Sequence, residues 1–426
     1  MKGFSFQVQI EINGTFVNAG RLLGNDFSDS VFIYDSDYIS SSEHCPVSIS
    51  LPFQDRAFSV QATRNYFEGL LPEGFSRQCI ASSIHADTED YISILRVLGS
   101  ECLGAIRILD EDSPIKTFEY KKLTDDEIKS LAAEGATKAM DLVVQSHLSL
   151  TGASGKIGLF YDEKTNEWFL PIGLAPSNYI VKQSHVRLKN LVLNEQLCLT
   201  TARKLGIDVP ESFVFECGNK KTDDSVLFAS KRFDRFTDSL SMQVNGHTVP
   251  YRLHQEDFAQ AMGIKSSSKY ELSGEGYLKK MFDILKNHSS NPIEDQLKLW
   301  KITIFNYLIG NTDNHIKNTS LIYSKDLKSI RLAPCYDIVS TKIYDSGTEE
   351  MSLSINGKLN HSEITPFDFE TEAQHLGLGQ KLAMKIFSEM TETFNDALSS
   401  ASRELKEKGF QEAENLADRI MDYDFN

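Results

Sequence analysis

The sequence lacks the cysteine pattern of a stapled or zinc-bound protein. Its six cysteines (Cys45, Cys79, Cys102, Cys198, Cys217 and Cys335) include no CxxC pair, which argues against a disulfide framework or a zinc site and for reduced thiols in the cytoplasm. It also lacks basic charge: 44 Lys and Arg stand against 60 Asp and Glu, a formal net charge of -16. Such a surface offers no electrostatic footprint for nucleic acid, so any contact with DNA is expected to run through a partner. No apolar run approaches the roughly 20 residues of a membrane span, and no membrane contact is expected. The N-terminus does not read as a signal peptide either, because Phe4, Phe6, Val8, Ile10 and Ile12 alternate with other residues as in a half-buried strand. Internal repeats and low-complexity tracts are missing.

What is present is an ordinary globular composition, 426 residues with 41% hydrophobic and 24% charged content, enough for a sizeable core in two or three domains. Residues 1–108 read as an α+β unit, with helices around Val60–Leu70 and Tyr91–Leu98, the latter capped by Asp87 or Thr88, carrying acids in its first turn and stopped by Gly99. Residues 109–147 read as a polar connector with one short helix, opened by a Thr124/Glu127 capping box. Residues 148–236 form a β-rich lobe with strands at Lys156–Tyr161, Tyr179–Lys182, Ser212–Phe215 and Val226–Arg232, and one helix from Asn190 to Leu205 ended by Gly206. Residues 237–426 are mostly helical, with an apolar helix through Leu297, Trp300, Ile304 and Leu308 that stops at Gly310, and a later one opened by Thr365 and Pro366. The polar segment from Ile338 to Ile364, with its Asn356-Gly357 turn signal, is expected to be a mobile, substrate-facing loop.

Phosphoryl transfer needs a group that orients the attacking hydroxyl and oxygen ligands that hold Mg²⁺ against the phosphates. Asp313-Asn314-His315-Ile316-Lys317-Asn318 has the Asp-x-x-x-x-Asn spacing that kinases use, just past the glycine ending an apolar helix, and a second aspartate, Asp337, follows where it would complete the metal site. By chance alone this spacing is common, so it is weighed with three other features. Gly152-Ala153-Ser154-Gly155-Lys156 is a glycine-rich turn between strands whose backbone N–H groups could approach phosphate. A Walker loop is excluded, since Leu150 replaces its first glycine and Ile157 its hydroxyl residue; a plain glycine turn is the bland alternative. Lys182 ends a strand and Glu195 lies in the next helix, the order of the kinase lysine and its glutamate, although a strand-end lysine is usually solvated. The strand Val226–Ser230 leads into Lys231-Arg232-Phe233-Asp234-Arg235, where backbone groups would pair with adenine; the alternative is a strand closed by a salt-bridged turn.

This order of motifs resembles the HipA family of bacterial kinase toxins over nearly the whole chain. The matching blocks are Asn65-Tyr66-Phe67-Glu68-Gly69-Leu70-Leu71-Pro72-Glu73-Gly74, Ser149–Ala153 with Lys156, Arg252–Asp257 with Ser267–Glu271, Ile309–Asn318, and Tyr336-Asp337-Ile338. The resemblance implies a protein-kinase-like bilobal α+β fold, with a β-rich N-lobe, a helical C-lobe and an extra N-terminal α+β subdomain. It implies a serine/threonine protein kinase using ATP and Mg²⁺. Asp313 orients the hydroxyl, Lys317 meets the transferring phosphate, Asn318 and Asp337 ligate the metal, Lys182 binds phosphates, and the backbone at Lys231 and Phe233 holds adenine. Lys231 departs from the acidic residue of a well-known relative, which matters little for a backbone contact. His315 is read as a hydrogen-bonding residue that fixes the loop rather than a proton carrier.

The family further implies autophosphorylation at the loop serine Ser149, ejecting the glycine-rich loop; Thr151 occupies a second acceptor position found in some relatives. A phosphate there places nearly two negative charges beside the phosphate cradle. The implied partner is a small helix-turn-helix antitoxin (HipB-like) that binds operator DNA, and family substrates include aminoacyl-tRNA synthetases. Two rival readings are a small-molecule kinase of aminoglycoside or choline type, which leaves the N-terminal block unexplained, and an inactive binding module, which conflicts with a complete set of metal and phosphate residues.

Overall fold

The computed structural model describes residues 3–112, 117–134, 156–184, 188–218, 222–239, 241–345 and 347–422. Ser149, Thr151, Gly152, Ala153, Ser154 and Gly155 lie outside the described residues. The chain divides into two compact units, one of residues 1–186, 215–266 and 322–329, the other of 187–214, 267–321 and 330–426.

In the first unit, strands β1 (Phe4–Ile12), β2 (Thr15–Gly24), β3 (Val31–Tyr34) and β4 (Ile106–Asp110) make a sheet of order β3-β2-β1-β4. The N-terminal alternation does what period-two patterning dictates: Phe6, Val8 and Ile10 are fully buried on one face. Three helices, α1 (Ser36–Ser40), α2 (Val60–Phe67) and α3 (Gly74–Ser83), precede α4 (Tyr91–Leu98). The expected α4 cap is corrected: Asp90 accepts from the Ser93 N–H at 3.0 Å, while Asp87 closes the preceding turn on Glu89, so no acid falls inside the first turn.

The second sheet of this unit runs β5-β7-β6-β8-β10-β9, with β5 (Phe118–Lys122), β6 (Lys156–Asp162), β7 (Glu167–Gly173), β8 (Tyr179–Gln183), β9 (Ser212–Glu216, whose last two residues belong here) and β10 (Val226–Lys231). β5, inside the stretch read as a connector, is an edge strand paired with β7. Helix α5 (Asp125–Glu134) has the expected capping box, Thr124 and Glu127 each bonding the other's backbone N–H.

The Asn65–Gly74 and Arg252–Asp257 blocks brace this unit from within. Asn65 Nδ2 donates to the Gly263 carbonyl, Glu68 is held by Arg64 and Arg77, and the His254 ring bonds the Val47 carbonyl at 2.9 Å. Burial pushes His254 down to about 4, so the ring is neutral and donates through Nε2. Asp257 and Gln260 form a capping box on α7 (Phe258–Met262).

The second unit is helical: α6 (Leu191–Lys204), α8 (Tyr277–His288), α9 (Pro292–Leu308), α10 (Pro366–His375), α11 (Gln380–Glu407) and α12 (Glu412–Met421). α9 is its spine. Trp300 is fully buried with its indole N–H on the Ala383 carbonyl at 3.1 Å, and Phe305 packs edge-on against Phe394. The expected loop from Ile338 to Ile364 instead contains a hairpin, Glu350–Ile355 with Lys358–Asn360. Asn356 and Gly357 both adopt positive φ, 52° and 74°, the backbone that a two-residue hairpin turn demands. Asn356 is tied to α10 through Glu372 and Asp368, so the turn signal wins over the polar composition. No described helix is long and apolar enough to cross a membrane, and all six cysteines are free.

Candidate active site

The Asp313–Asn318 loop is built from the end of α9. Gly310 takes φ 66°, which a β-carbon disfavours, and Asn311 donates its backbone N–H to the Asn306 carbonyl to finish the helix. The Asn311 side chain then accepts the Asp313 N–H at 3.2 Å. Within the loop, His315 N–H donates to the Asp313 carbonyl at 2.9 Å and Asn318 N–H to the His315 carbonyl at 2.8 Å. The Asn318 side-chain nitrogen closes the ring on the Asp313 carbonyl at 2.9 Å. Because the amide nitrogen is committed there, Oδ1 is the end left to act as a hard oxygen ligand. Asp313 is exposed, whereas Lys317 and Asn318 are buried.

Asp337 adopts φ 58°, unusual outside glycine, a conformation aspartate tolerates better than most and one that gathers at functional sites. Its neighbour Tyr336 donates its hydroxyl to the Lys317 carbonyl at 3.1 Å and bonds Ser320 Oγ at 2.5 Å. One tyrosine therefore ties the chain beside Asp337 to the chain beside Asn318. Above the loop, Tyr270 donates its hydroxyl to Asp313 Oδ1 at 2.8 Å and its ring meets His315 edge-on at 5.2 Å. A cavity of about 360 Å³ opens beside Asp313, lined by Tyr270, Thr341, Tyr344, Met351 and Leu359 among others. The hairpin that replaced the expected loop thus does border Asp313. Among the described residues no cluster of three or more His, Cys, Asp or Glu side chains could hold a metal, so a metal here depends on the Asn318 amide.

The first unit carries the nucleotide candidates. Lys182 is not a solvated strand end: it is buried in β8, with its ammonium 5.7 Å from the Phe228 ring centroid. Antiparallel register sets Lys156 of β6 directly opposite Lys182, and Phe228 of β10 opposite it on the other side. Directly opposed residues share a face of the sheet. Lys231 ends β10 and reaches Glu163 at 2.9 Å; Phe233 is half-buried. The salt-bridged turn weighed for this segment is real, since Arg232 and Arg235 both bind Asp234 and Glu101 inside the protein. Glu195 is buried in α6, in the second unit.

The sequence matches the HipA-like C-terminal domain over residues 148–398 and the HipA N-terminal domain over residues 10–109. The chain belongs to the HipA family. The serine/threonine-protein kinase toxin HipA of Shewanella oneidensis is 23% identical over 365 residues, covering 83% of this chain and 80% of that protein. Protein Y4mE of Sinorhizobium fredii is 28% identical over 393 residues, covering 89% of each. A chain in the solved complex of the Shewanella oneidensis MR-1 toxin–antitoxin system HipA, HipB and its operator DNA superposes with a TM-score of 0.77 at 20% identity, over 97% of this chain and 96% of that one. The fold is accordingly the α+β, protein-kinase-like fold of HipA.

In this HipA-family chain, motif spacing located the Asp313–Asn318 loop but not Tyr270, Tyr336 or Glu101. Tyr270 and Tyr336 lie within matched blocks, yet only the folded chain shows what their hydroxyls touch.

Proposed function

We propose that the protein is an ATP- and Mg²⁺-dependent serine/threonine protein kinase and the toxin of a type II toxin–antitoxin pair. The observation that carries this reading is the closed Asp313–Asn318 loop, with Asp313 exposed at a cavity and the Asn318 amide nitrogen engaged on the Asp313 carbonyl. In this reading Asp313 orients the acceptor hydroxyl and takes its proton, Lys317 neutralises charge on the moving phosphoryl group, and Asn318 and Asp337 supply oxygen ligands to Mg²⁺. Lys156 and Lys182, opposed on one sheet face, bind phosphates together with the Gly152–Gly155 loop. Backbone groups at Lys231 and Phe233 hold adenine. When bound there, the metal would supply charge neutralisation to the phosphates.

The acceptor is a protein hydroxyl, with an aminoacyl-tRNA synthetase as the candidate target and Ser149 or Thr151 as the site of self-modification. A helix-turn-helix, HipB-like antitoxin restrains the enzyme in the cytoplasm and makes the DNA contact. The test incubates purified protein with γ-labelled ATP and Mg²⁺ and maps the label by mass spectrometry. Label on Ser149, Thr151 or an added synthetase is expected, and Asp313→Ala lowers its rate by at least about a hundredfold. Transfer only to small alcohols, or none, overturns the reading.

A further inference from the structure

We infer that Tyr270 selects the acceptor: its hydroxyl sits in the seat on Asp313 that an acceptor hydroxyl must take, so that water and small alcohols are turned away and a docked protein segment is required to displace it. This rests on the kinase reading above. A hydroxyl about to attack phosphate donates its hydrogen bond to the base that will receive its proton. In this structure Asp313 Oδ1 already accepts such a bond, from the Tyr270 hydroxyl at 2.8 Å.

The surroundings of Tyr270 suit a side chain that moves while its backbone stays. The following residue is anchored by three hydrogen bonds, Glu271 accepting from Ser354 N–H at 2.8 Å, Ser354 Oγ at 2.9 Å and Gly276 N–H at 2.8 Å. Its own N–H donates to the Ser352 carbonyl at 3.1 Å. Tyr270, by contrast, is 48% exposed, so its ring has solvent to swing into, at the cost of the edge contact with His315. The bond to Asp313 that is lost is remade by the incoming hydroxyl. The ring also walls the cavity beside Asp313, and moving it widens the space into which a polypeptide would be laid. A small hydroxyl compound gains nothing from that cavity to offset the displaced phenol; a protein segment does.

The test compares the parent with Tyr270→Phe, which keeps the ring and removes the hydroxyl, using ATP hydrolysis without acceptor, transfer to glycerol and transfer to dephosphorylated casein. Loss of a hydrogen bond to a charged carboxylate predicts about a tenfold rise in hydrolysis and in transfer to glycerol, with KM for casein lowered and KM for ATP unchanged. The Asp313→Ala/Tyr270→Phe double variant should show none of this gain, because the seat itself is gone. Unchanged hydrolysis, or a fall in kcat with KM for casein unaltered, overturns the inference and makes Tyr270 a positioning residue or a bystander. The unfolding midpoint of Tyr270→Phe, expected to equal the parent's, separates these outcomes from misfolding. If the parent itself transfers no label, it is the kinase reading that has failed.

Discussion

Glu256 shows how one buried carboxyl can set the pH response of the protein. It accepts hydrogen bonds from Ser48 Oγ, the Ile49 N–H and the Tyr323 hydroxyl, all within the first unit. Burial nevertheless dominates and pushes it up to about 7, the three donors offsetting only part of that. An acid whose folded pKa is raised stabilises the fold most when protonated, and that contribution is lost as pH rises through 7. His254, held neutral by burial, acts in the opposite sense as pH falls below about 6.5, so the parent's own pH profile mixes the two. The comparison with Glu256→Gln isolates the carboxyl. Lowering pH from about 8 to about 5 should stabilise the parent relative to the variant by about 2–3 kcal/mol, measured by denaturant unfolding at each pH. A constant difference between the two proteins across that range would show that Glu256 titrates normally.

Among the elements, the turn after β10 carries three buried charged residues, Arg232, Asp234 and Arg235. Glu101 accepts from Arg232, Arg235 and Arg252, and Asp234 accepts from Arg232 and Arg235. Burial opposes the charge on Glu101 most strongly, yet Arg235, Arg252 and Arg232 together bring the carboxyl down to about 2. Removing it leaves Arg232 and Arg235 sharing Asp234 and takes from the Arg252 guanidinium its Glu101 partner, so Glu101→Ala should destabilise the protein by about 3–5 kcal/mol, read as a shifted denaturation midpoint; a change under about 1 kcal/mol would mean the network relaxes or takes in water. This cluster marks the boundary of what could be read from the sequence. Local signals were legible: the Phe4–Ile12 alternation, Gly99 and Gly206 as helix stops, the Thr124 capping box, Thr365 as a helix cap, and the six-residue spacing of Asp313 to Asn318. Each is a property of neighbouring residues. Glu101 and Arg232 are 131 positions apart, and Tyr270 and Asp313 are 43 apart. Such pairings depend on where the chain returns, which no local pattern encodes. β5 escaped because an edge strand with one solvent face can be polar, and the Glu350–Asn360 hairpin escaped because its composition was weighed above its Asn-Gly turn.

At the scale of the molecule, charge separates what this chain can do alone from what requires a partner. A net charge of -16 sets an average repulsion against a duplex that carries one negative charge per ~1.7 Å of its axis. The two lysines proposed above to bind phosphate add no basic stripe for a duplex to lie along: Lys182 is buried, and Lys156 lies opposite it within the sheet. Long-range repulsion falls off over about 8 Å at physiological salt, so it weakens encounter without forbidding a complex whose DNA contacts come from another protein. The chain alone should therefore leave a 30-base-pair duplex unshifted at about 150 mM salt, with Kd weaker than about 10⁻⁴ M, by fluorescence anisotropy. Adding a HipB-like helix-turn-helix protein of the kind proposed above should produce a ternary complex with a salt slope no steeper than that protein's own. Tight binding by the chain alone, with affinity falling steeply as salt rises, would mean that a basic surface forms despite the overall acidity, and that the partner is not what carries it to DNA.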